Sequence, residues 1–589
     1  MRTTKILYFL FLTFLAQFIN AQDSIINRNI TVEREYKPII QDAGKINSMP
    51  EVLEPKTEKT AAVYSNFNLP LTVDFNIHTL PSADLEREKR YEDKGGFARI
   101  GFGNYFNSLA DFAYPLVKKP DLLLDVSLKH LATFGKKAHS NTNGIISFDK
   151  KFKKFNLFAG IGGGHEYLAY YGNEFNSTST INLDTLLKKV GLGTYTETNR
   201  TGKNSSLRNF QLADLANDSA SNTFWRFNAF AGFKTVTLKN EWQYQAQLKY
   251  NSLSTGYGNR EHQIRTLADI NTLYYKNKIG VGIELNNMIY NATTPNFWNF
   301  ANAYSVLTLN PYYNIERKNW NVRLGAKSSF NFEAQNFLAY PSADIKAEWR
   351  VLPRNISVYG GITGGLKTNT LSDIYAENPY LQADIRVRDT YTPFNLYAGV
   401  KAKPFSNILV DAFIDYRKIN NQYFFINKEY AFPSNPLISP ADFLLYTNRF
   451  DVIYSDASVT KIGVRASYNL QNIVSVEFKG AYNAWNVKTE TYAWNKPTWE
   501  ADFNTQLHVN KNLTVSAIAF FEGERYAKLG SNALRMRPKV DINLGANYLH
   551  NKWLSSFVKI NNLINNPYQE FYGYQLQGFN VLVGASVSF

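Results

Sequence analysis

The residues that could do chemistry are few. The seven histidines are His78, His130, His139, His165, His262, His508 and His550. No two stand at the close spacing by which paired imidazoles on one helix grip zinc. His130 and His139 are nine residues apart, with a turn expected between them. The chain has no cysteine, which excludes disulfides, thiolate metal sites, a cysteine nucleophile and a lipidated N-terminal cysteine. A hydrolase needs a nucleophile aligned with a base and a carboxylate, and no spacing selects such a set. Gly160-Ile161-Gly162-Gly163-Gly164 is glycine-rich, but no helix is expected after it and no Lys-Ser/Thr completes a phosphate loop. In mid-strand such glycines admit bending or the close approach of a ring or backbone. These residues point away from an enzyme and call for no metal and no cofactor. No nucleic-acid partner is expected.

What remains are charged side chains in alternation with apolar ones. In 322–330, Val322, Leu324, Ala326, Ser328 and Phe330 oppose Arg323, Gly325, Lys327 and Ser329. In 381–388, Leu381, Ala383, Ile385 and Val387 oppose Gln382, Asp384, Arg386 and Arg388. In 461–470, Ile462, Val464, Ala466, Tyr468 and Leu470 oppose Lys461, Gly463, Arg465, Ser467 and Asn469. Period two is the signature of a strand with one apolar and one polar face. Arg323, Arg386, Arg388 and Arg465 are thereby expected to line a polar interior. Asp411, Asp415 and Arg417 share one phase, as do Lys346, Glu348 and Arg350, and Glu477 and Lys479. Such a face either steers a polar solute or forms cross-strand ion pairs that stiffen a wall. The mixed signs favour the second, because they cancel a steering field.

The elements that must position these residues are strands. Phe numbers 42 and Tyr 38 in 589 residues, against 4 Met, a bias toward strand over helix. A mean hydropathy of −0.32 excludes a polytopic helical membrane protein. It is compatible with a membrane β-barrel, whose strands alternate apolar and polar residues. Residues 1–21 read as a secretory signal peptide, with Arg2 and Lys5 before an apolar stretch and a cleavage site after Ala21. Residues 22–94 carry Pro38, Pro50, Pro55, Pro70 and Pro81, hold 13 acidic against 10 basic residues, and are expected to form an extended periplasmic arm or partial plug. Residues 95–589 are expected to form the transmembrane barrel.

Long alternating runs with short polar turns between them divide that segment into eleven hairpins. They begin near Phe97, Asp121, Lys154, Asn240, Lys276, Asn319, Arg354, Ser406, Asn472, Asn512 and Lys552. The fold class is therefore all-β: a closed transmembrane antiparallel barrel of about 22 strands, with about 20 as the alternative. Closure is required because an open sheet edge cannot sit in hydrocarbon. The barrel segment is basic, which suits outer-membrane lipid and lipopolysaccharide as partners. Lys150, Lys151, Lys153 and Lys154 cluster at one expected periplasmic turn.

The last strand places Phe579, Val581, Val583, Ala585, Val587 and Phe589 on one side, expected to face lipid, and ends the sequence on Phe589. This resembles the terminal signal by which barrel-assembly machinery recognises outer-membrane barrels. Before it, Lys559-Ile560-Asn561-Asn562-Leu563-Ile564-Asn565-Asn566-Pro567-Tyr568, followed by Gly578, resembles the end of TonB-dependent receptors. Asn562, Leu563, Asn565 and Tyr568 carry that match. Val32-Glu33-Arg34-Glu35-Tyr36-Lys37-Pro38 is similar to openings of Bacteroidota outer-membrane proteins of receptor type. The resemblance implies a receptor-like barrel in the outer membrane that transports a polar solute. It departs from the family in one place: receptors carry a full plug domain ahead of the barrel, and only 22–94 is available for one. That arm could instead dock a periplasmic or outer-membrane protein, which makes a structural or accessory subunit of an assembly or secretion complex the alternative function.

Overall fold

Alternation over runs of 7 to 25 residues gives strands wherever the sequence keeps it, and polar or glycine-bearing breaks give the turns. The computed structural model describes residues 95–172, 221–236, 242–291, 303–333, 336–382, 385, 387–429, 446–470 and 473–589. The signal peptide and the arm, 1–94, lie outside the described residues.

The strands, in chain order, are β1 (Phe97–Gly103), β2 (Ser108–Lys119), β3 (Leu122–Thr133), β4 (His139–Lys151), β5 (Phe155–Ala169), β6 (Ser221–Thr235), β7 (Gln243–Thr255), β8 (Arg260–Tyr274) and β9 (Asn277–Asn291). Then come β10 (Ala303–Glu316), β11 (Trp320–Glu333), β12 (Asn336–Ala343), β13 (Ile345–Leu352), β14 (Ile356–Lys367), one helix α1 (Leu371–Glu377), β15 (Thr390–Phe405), β16 (Ile408–Glu429), β17 (Tyr446–Leu470) and β18 (Val474–Val487). The last third holds β19 (Trp499–His508), β20 (Leu513–Glu522), β21 (Arg525–Leu529), β22 (Asn532–Met536), β23 (Lys539–Leu549), β24 (Leu554–Asn561), β25 (Gln569–Phe571), β26 (Tyr574–Gln575) and β27 (Asn580–Ser588).

One antiparallel ring contains all of these but two small hairpins, β21–β22 and β25–β26, which project from loops. The ring closes because β1 pairs with both β2 and β27: Phe97 lies opposite Ala113 on one side and Ser588 on the other. β12 and β13 both pair with β11 and are separated only by Asp344, so they form one interrupted crossing. The barrel therefore has 22 strands, and each of the eleven expected hairpins is present, including the first.

The chain makes ten short turns at one end and eleven connections at the other, most of them longer. β16 and β17 are 22 and 25 residues long, about twice the roughly 9–11 a tilted crossing needs. They join at the turn end to 407 and 471, so their surplus length raises that wall at the loop end.

The two faces differ as the alternation requires. On β27 and its ends, Phe579, Val583 and Phe589 are exposed outward, while Asn580, Leu582 and Ser586 are buried on the inner side. The terminal residue is fastened: Gly96 N donates to Phe589 O at 2.8 Å, Phe589 N donates to Gly96 O at 3.0 Å, and its ring stacks on Tyr114 at 5.7 Å. Gly160 lies where a ring needs the space. A Cβ there would meet the Phe230 ring at 2.5 Å.

One expectation is corrected. The stretch 381–388 is not a barrel strand. It belongs to the 368–389 connection between β14 and β15, and among its described residues the one ladder contact is an isolated bridge from Leu381 to Phe450. Leu381 and Ile385, from the apolar side of its alternation, are almost wholly buried in a core inside the barrel.

Candidate functional site

The 368–389 connection folds inward and meets the wall from several sides. Its helix starts where Thr370 Oγ1 accepts from Asp373 N at 2.9 Å, an N-cap three residues before an acidic partner. Leu371, Ile374 and Tyr375 form the buried face of α1. They join one apolar cluster with Leu168, Phe224, Leu253 and Met288 from β5, β6, β7 and β9, and with Phe425 and Phe450 from β16 and β17. Tyr380 is the centre of this cluster. Its ring stacks on Tyr574 at 3.5 Å and lies edge-on to Tyr171 at 6.2 Å and Phe571 at 6.4 Å. Its carbonyl accepts from Phe450 N, and Gln382 N donates to Phe450 O, both at 3.0 Å. Tyr380 thus meets the β5–β6 and β24–β27 connections with its ring and β17 through its backbone. These contacts come from three sectors of the ring, so this core lies in the lumen and obstructs it near its loop end.

Carboxylates tie the closing segment to the wall. Glu261 of β8, 3% exposed, accepts from Leu371 N and, at 3.2 Å, from Ser372 N, taking two of the amide donors that a helix start leaves unpaired. Glu377, at the other end of α1, accepts from the Tyr423 hydroxyl and pairs with Lys496. Burial alone would raise the Glu377 pKa, but Lys496 and these hydrogen bonds outweigh it and hold the carboxyl below its ordinary range. Asp389 accepts from Tyr304 at 2.9 Å and from Asn369 N at 3.3 Å. Burial dominates there and pushes its pKa up to about 7. Arg449 of β17 lies over Tyr170 at 4.6 Å and Tyr257 at 4.9 Å, a further cationic contact beside the core.

Below the closure, the wall carries paired charges. Arg323 donates to Asp344 at 2.9 Å and Lys346 reaches the same carboxylate at 3.0 Å, while Asn310 donates to it at 3.1 Å. The Arg323 guanidinium lies 3.8 Å from the Tyr312 ring centre. Arg465 is 3.4 Å from Asp411, which also accepts from the Tyr359 hydroxyl at 2.7 Å. Lys461 pairs with Glu500 across β17 and β19, and Arg265 with Glu284 across β8 and β9 at 2.6 Å. Glu477 and Lys479 stand 3.9 Å apart on one strand and are largely exposed. The mixed-sign face is thus mostly a cross-strand lattice. A pocket of about 260 Å³ lies beside it, lined by Lys278, Tyr312, Arg323, Lys346, Tyr359 and Tyr397 among others.

The four arginines therefore separate. Arg323 and Arg465 stand on barrel strands in ion pairs with Asp344 and Asp411. Arg388 lies in the closing segment, exposed, 5.7 Å over the Tyr454 ring, with its backbone N donating to the Tyr454 hydroxyl at 2.9 Å. Arg386 lies outside the described residues. Sequence reasoning missed Tyr380, Glu261 and Glu377. The spacing Thr370-x-x-Asp373 was the readable sign of a helix start in this loop.

The residues behind the C-terminal resemblance form a tight connection. Asn562 and Asn565 take left-handed backbone, both with φ 49°, a conformation asparagine tolerates. Asn562 Oδ1 accepts from Asn566 N at 2.9 Å, and Asn565 Oδ1 accepts from Phe579 N at 2.9 Å. The Tyr568 hydroxyl donates to buried Asp541 at 2.8 Å.

Comparison with solved structures gives the fold a context. The ferric enterobactin receptor of Pseudomonas aeruginosa superposes with a TM-score of 0.57 at 11% identity, over 85% of this chain and 81% of that one. The fold is that of ferric enterobactin and ferripyoverdine receptors. The ferric-catecholate import receptor of Escherichia coli K12 gives 0.57 at 10% identity, covering 85% and 82% of the two chains. The ferripyoverdine receptor of the outer membrane of Pseudomonas aeruginosa gives 0.57 at 12%, covering 85% and 73%. No family model matches the sequence, and no curated protein matches it.

Proposed function

We propose that the chain is an integral outer-membrane barrel of the TonB-dependent-receptor type that transports a polar solute and rests closed at its loop end. The observation that carries this is a 22-strand barrel with a polar, ion-paired inner wall, obstructed among the described residues by a core built on 368–389, which is held by hydrogen bonds and ring contacts rather than by the barrel ladder. A rigid scaffold subunit has no use for a polar lumen with a separately latched closure. The likeness to import receptors supports the same reading, and those neighbours are receptors rather than enzymes. In this reading residues 1–21 direct export, the C-terminal strand from Phe579 to Phe589 presents the insertion signal, and 22–94 form the periplasmic arm available to a partner. Arg323 and Arg465 are the arginines that line the path, each with a carboxylate that limits its pull on a passing anion.

The test is solute uptake into liposomes containing the purified mature protein. Sugars and organic acids of graded size are used, with and without replacement of 370–388 by a short Gly-Ser linker. Uptake of polar solutes by the replaced form with a size cut-off is expected. A folded replaced form that admits nothing would overturn the transport reading.

A further inference from the structure

The positive charge of the barrel is not spread over it. The ten turns, each taken with two strand residues on either side, carry fifteen Lys and Arg against three Asp and Glu. The eleven loop-end connections, counted in the same way, carry nineteen against eighteen. Twelve of the barrel segment's sixteen excess positive charges therefore sit at the turn end, in much the shorter stretch of chain. It is also distributed around the ring, for eight of the ten turns contribute. Lys118, Lys153, Lys276, Lys318, Arg354 and Lys552 stand on six different turns and all are exposed.

A second feature sits at the same level. Exposed rings stand on or next to these turns: Phe152 and Phe155, stacked at 4.6 Å; Tyr274 and Tyr275, edge-on at 4.6 Å; Trp320; and Trp553. Lys150 Nζ lies 5.4 Å from the Phe152 ring and Arg317 lies 5.9 Å from Trp320. Aromatic side chains on the outside of a barrel mark the boundary between hydrocarbon and headgroups. Cations on the same turns are then held at headgroup depth, within a Debye length of lipid phosphate.

We propose that the turn end is a basic collar that binds the anionic phospholipid headgroups of the leaflet in which it sits. Barrels of this kind place short turns on the periplasmic side, so the lipid is the anionic phospholipid of the inner leaflet. The loop end, near neutral, carries no comparable collar for the opposite leaflet. Cations spread over eight of the ten turns suit a fluid annulus of lipid better than a single docked protein, whose contact would cover one sector. The inference rests on the membrane-spanning reading and is independent of what the barrel carries, so a failed transport assay leaves it standing.

The test is native mass spectrometry of the lipid retained by the full mature protein released from bilayers of equal phosphatidylcholine and phosphatidylglycerol. Retained phosphatidylglycerol is expected to exceed phosphatidylcholine by roughly threefold or more. The excess should fall when Lys153, Lys154, Lys276 and Lys318 are each changed to Gln. It should persist when the loop-end residues Lys136, Lys137, Arg535 and Arg537 are changed instead. Equal retention of the two lipids overturns the proposal and leaves the collar to an acidic soluble partner. So does an excess that the turn substitutions leave unchanged. Should the turn variant fail to fold, the wild type decides: an excess unchanged at about 1 M salt contradicts electrostatic binding.

Discussion

Replacing Glu261 by Ala tests whether the closing segment is latched as described. Glu261 is buried on the barrel wall and accepts from two amides at the start of α1, Leu371 N and Ser372 N. Without it those amides stay buried and unpaired in the closed arrangement, at about 1–3 kcal/mol each. Relief of the carboxylate's own desolvation offsets part of that. A net loss of about 2 kcal/mol is expected, and at 1.4 kcal/mol per decade this favours local opening about thirtyfold. Hydrogen exchange reads this directly, because local opening exposes a segment's amides without unfolding the barrel. Exchange across 371–377 should accelerate by that factor, while the ladder of β7 and β8 keeps its protection. Unchanged exchange in a folded E261A barrel would refute the latch. Equal acceleration in β8 would show that Glu261 supports the wall and not the segment.

Three further predictions concern the same region and the wall. Asp389 has a raised pKa of about 7 in the folded protein against roughly 3.9 when unfolded. Its contribution to holding the segment is therefore full below pH ~4 and is lost as pH rises through about 7. Glu377 runs the other way, contributing above its ordinary range and losing that contribution as pH falls through its lowered value. Exchange across 368–389 should accordingly quicken between pH 5 and about 7.5 beyond its intrinsic base catalysis, and Asp389→Asn should abolish that excess. Asp344→Asn removes the carboxylate shared by Arg323 and Lys346. In a barrel opened by replacing 370–388, it should shift the reversal potential toward anion selectivity, and no shift would show that this pair does not face the path. Phe589→Ala deletes the ring stacked on Tyr114 and should lower the fraction of heat-modifiable folded barrel recovered after assembly. Full recovery would remove the terminal ring from the insertion signal.

The barrel was legible because its rule is local. Alternation fixes the faces, and turns rich in Lys, Asn and Pro mark where each hairpin begins, as at Lys118-Lys119-Pro120 and Glu316-Arg317-Lys318-Asn319. The stretch 381–388 misled for the same reason. Leu381, Ile385 and Val387 alternate with polar residues whether their apolar side meets lipid or a packed core, and periodicity does not distinguish the two. The interruption at Asp344 was hidden inside an apparently continuous strand. The latches were illegible because their partners are remote: Glu261 lies 110 residues from Leu371, and Glu377 lies 119 from Lys496. Nothing in the sequence around Tyr380 singles it out. Only the ring closure that brings β5, β17 and the β24–β27 loop together gives it its surroundings.

Single-channel conductance tests the account most directly. The chain lacking 22–94 is measured in a planar bilayer with 368–389 intact and with 370–388 replaced by a short Gly-Ser linker. The intact closure should hold the barrel silent, and the replacement should give stable ohmic steps. Equal conductance from both forms, or silence from a folded replaced form, would contradict a transport barrel closed by this segment.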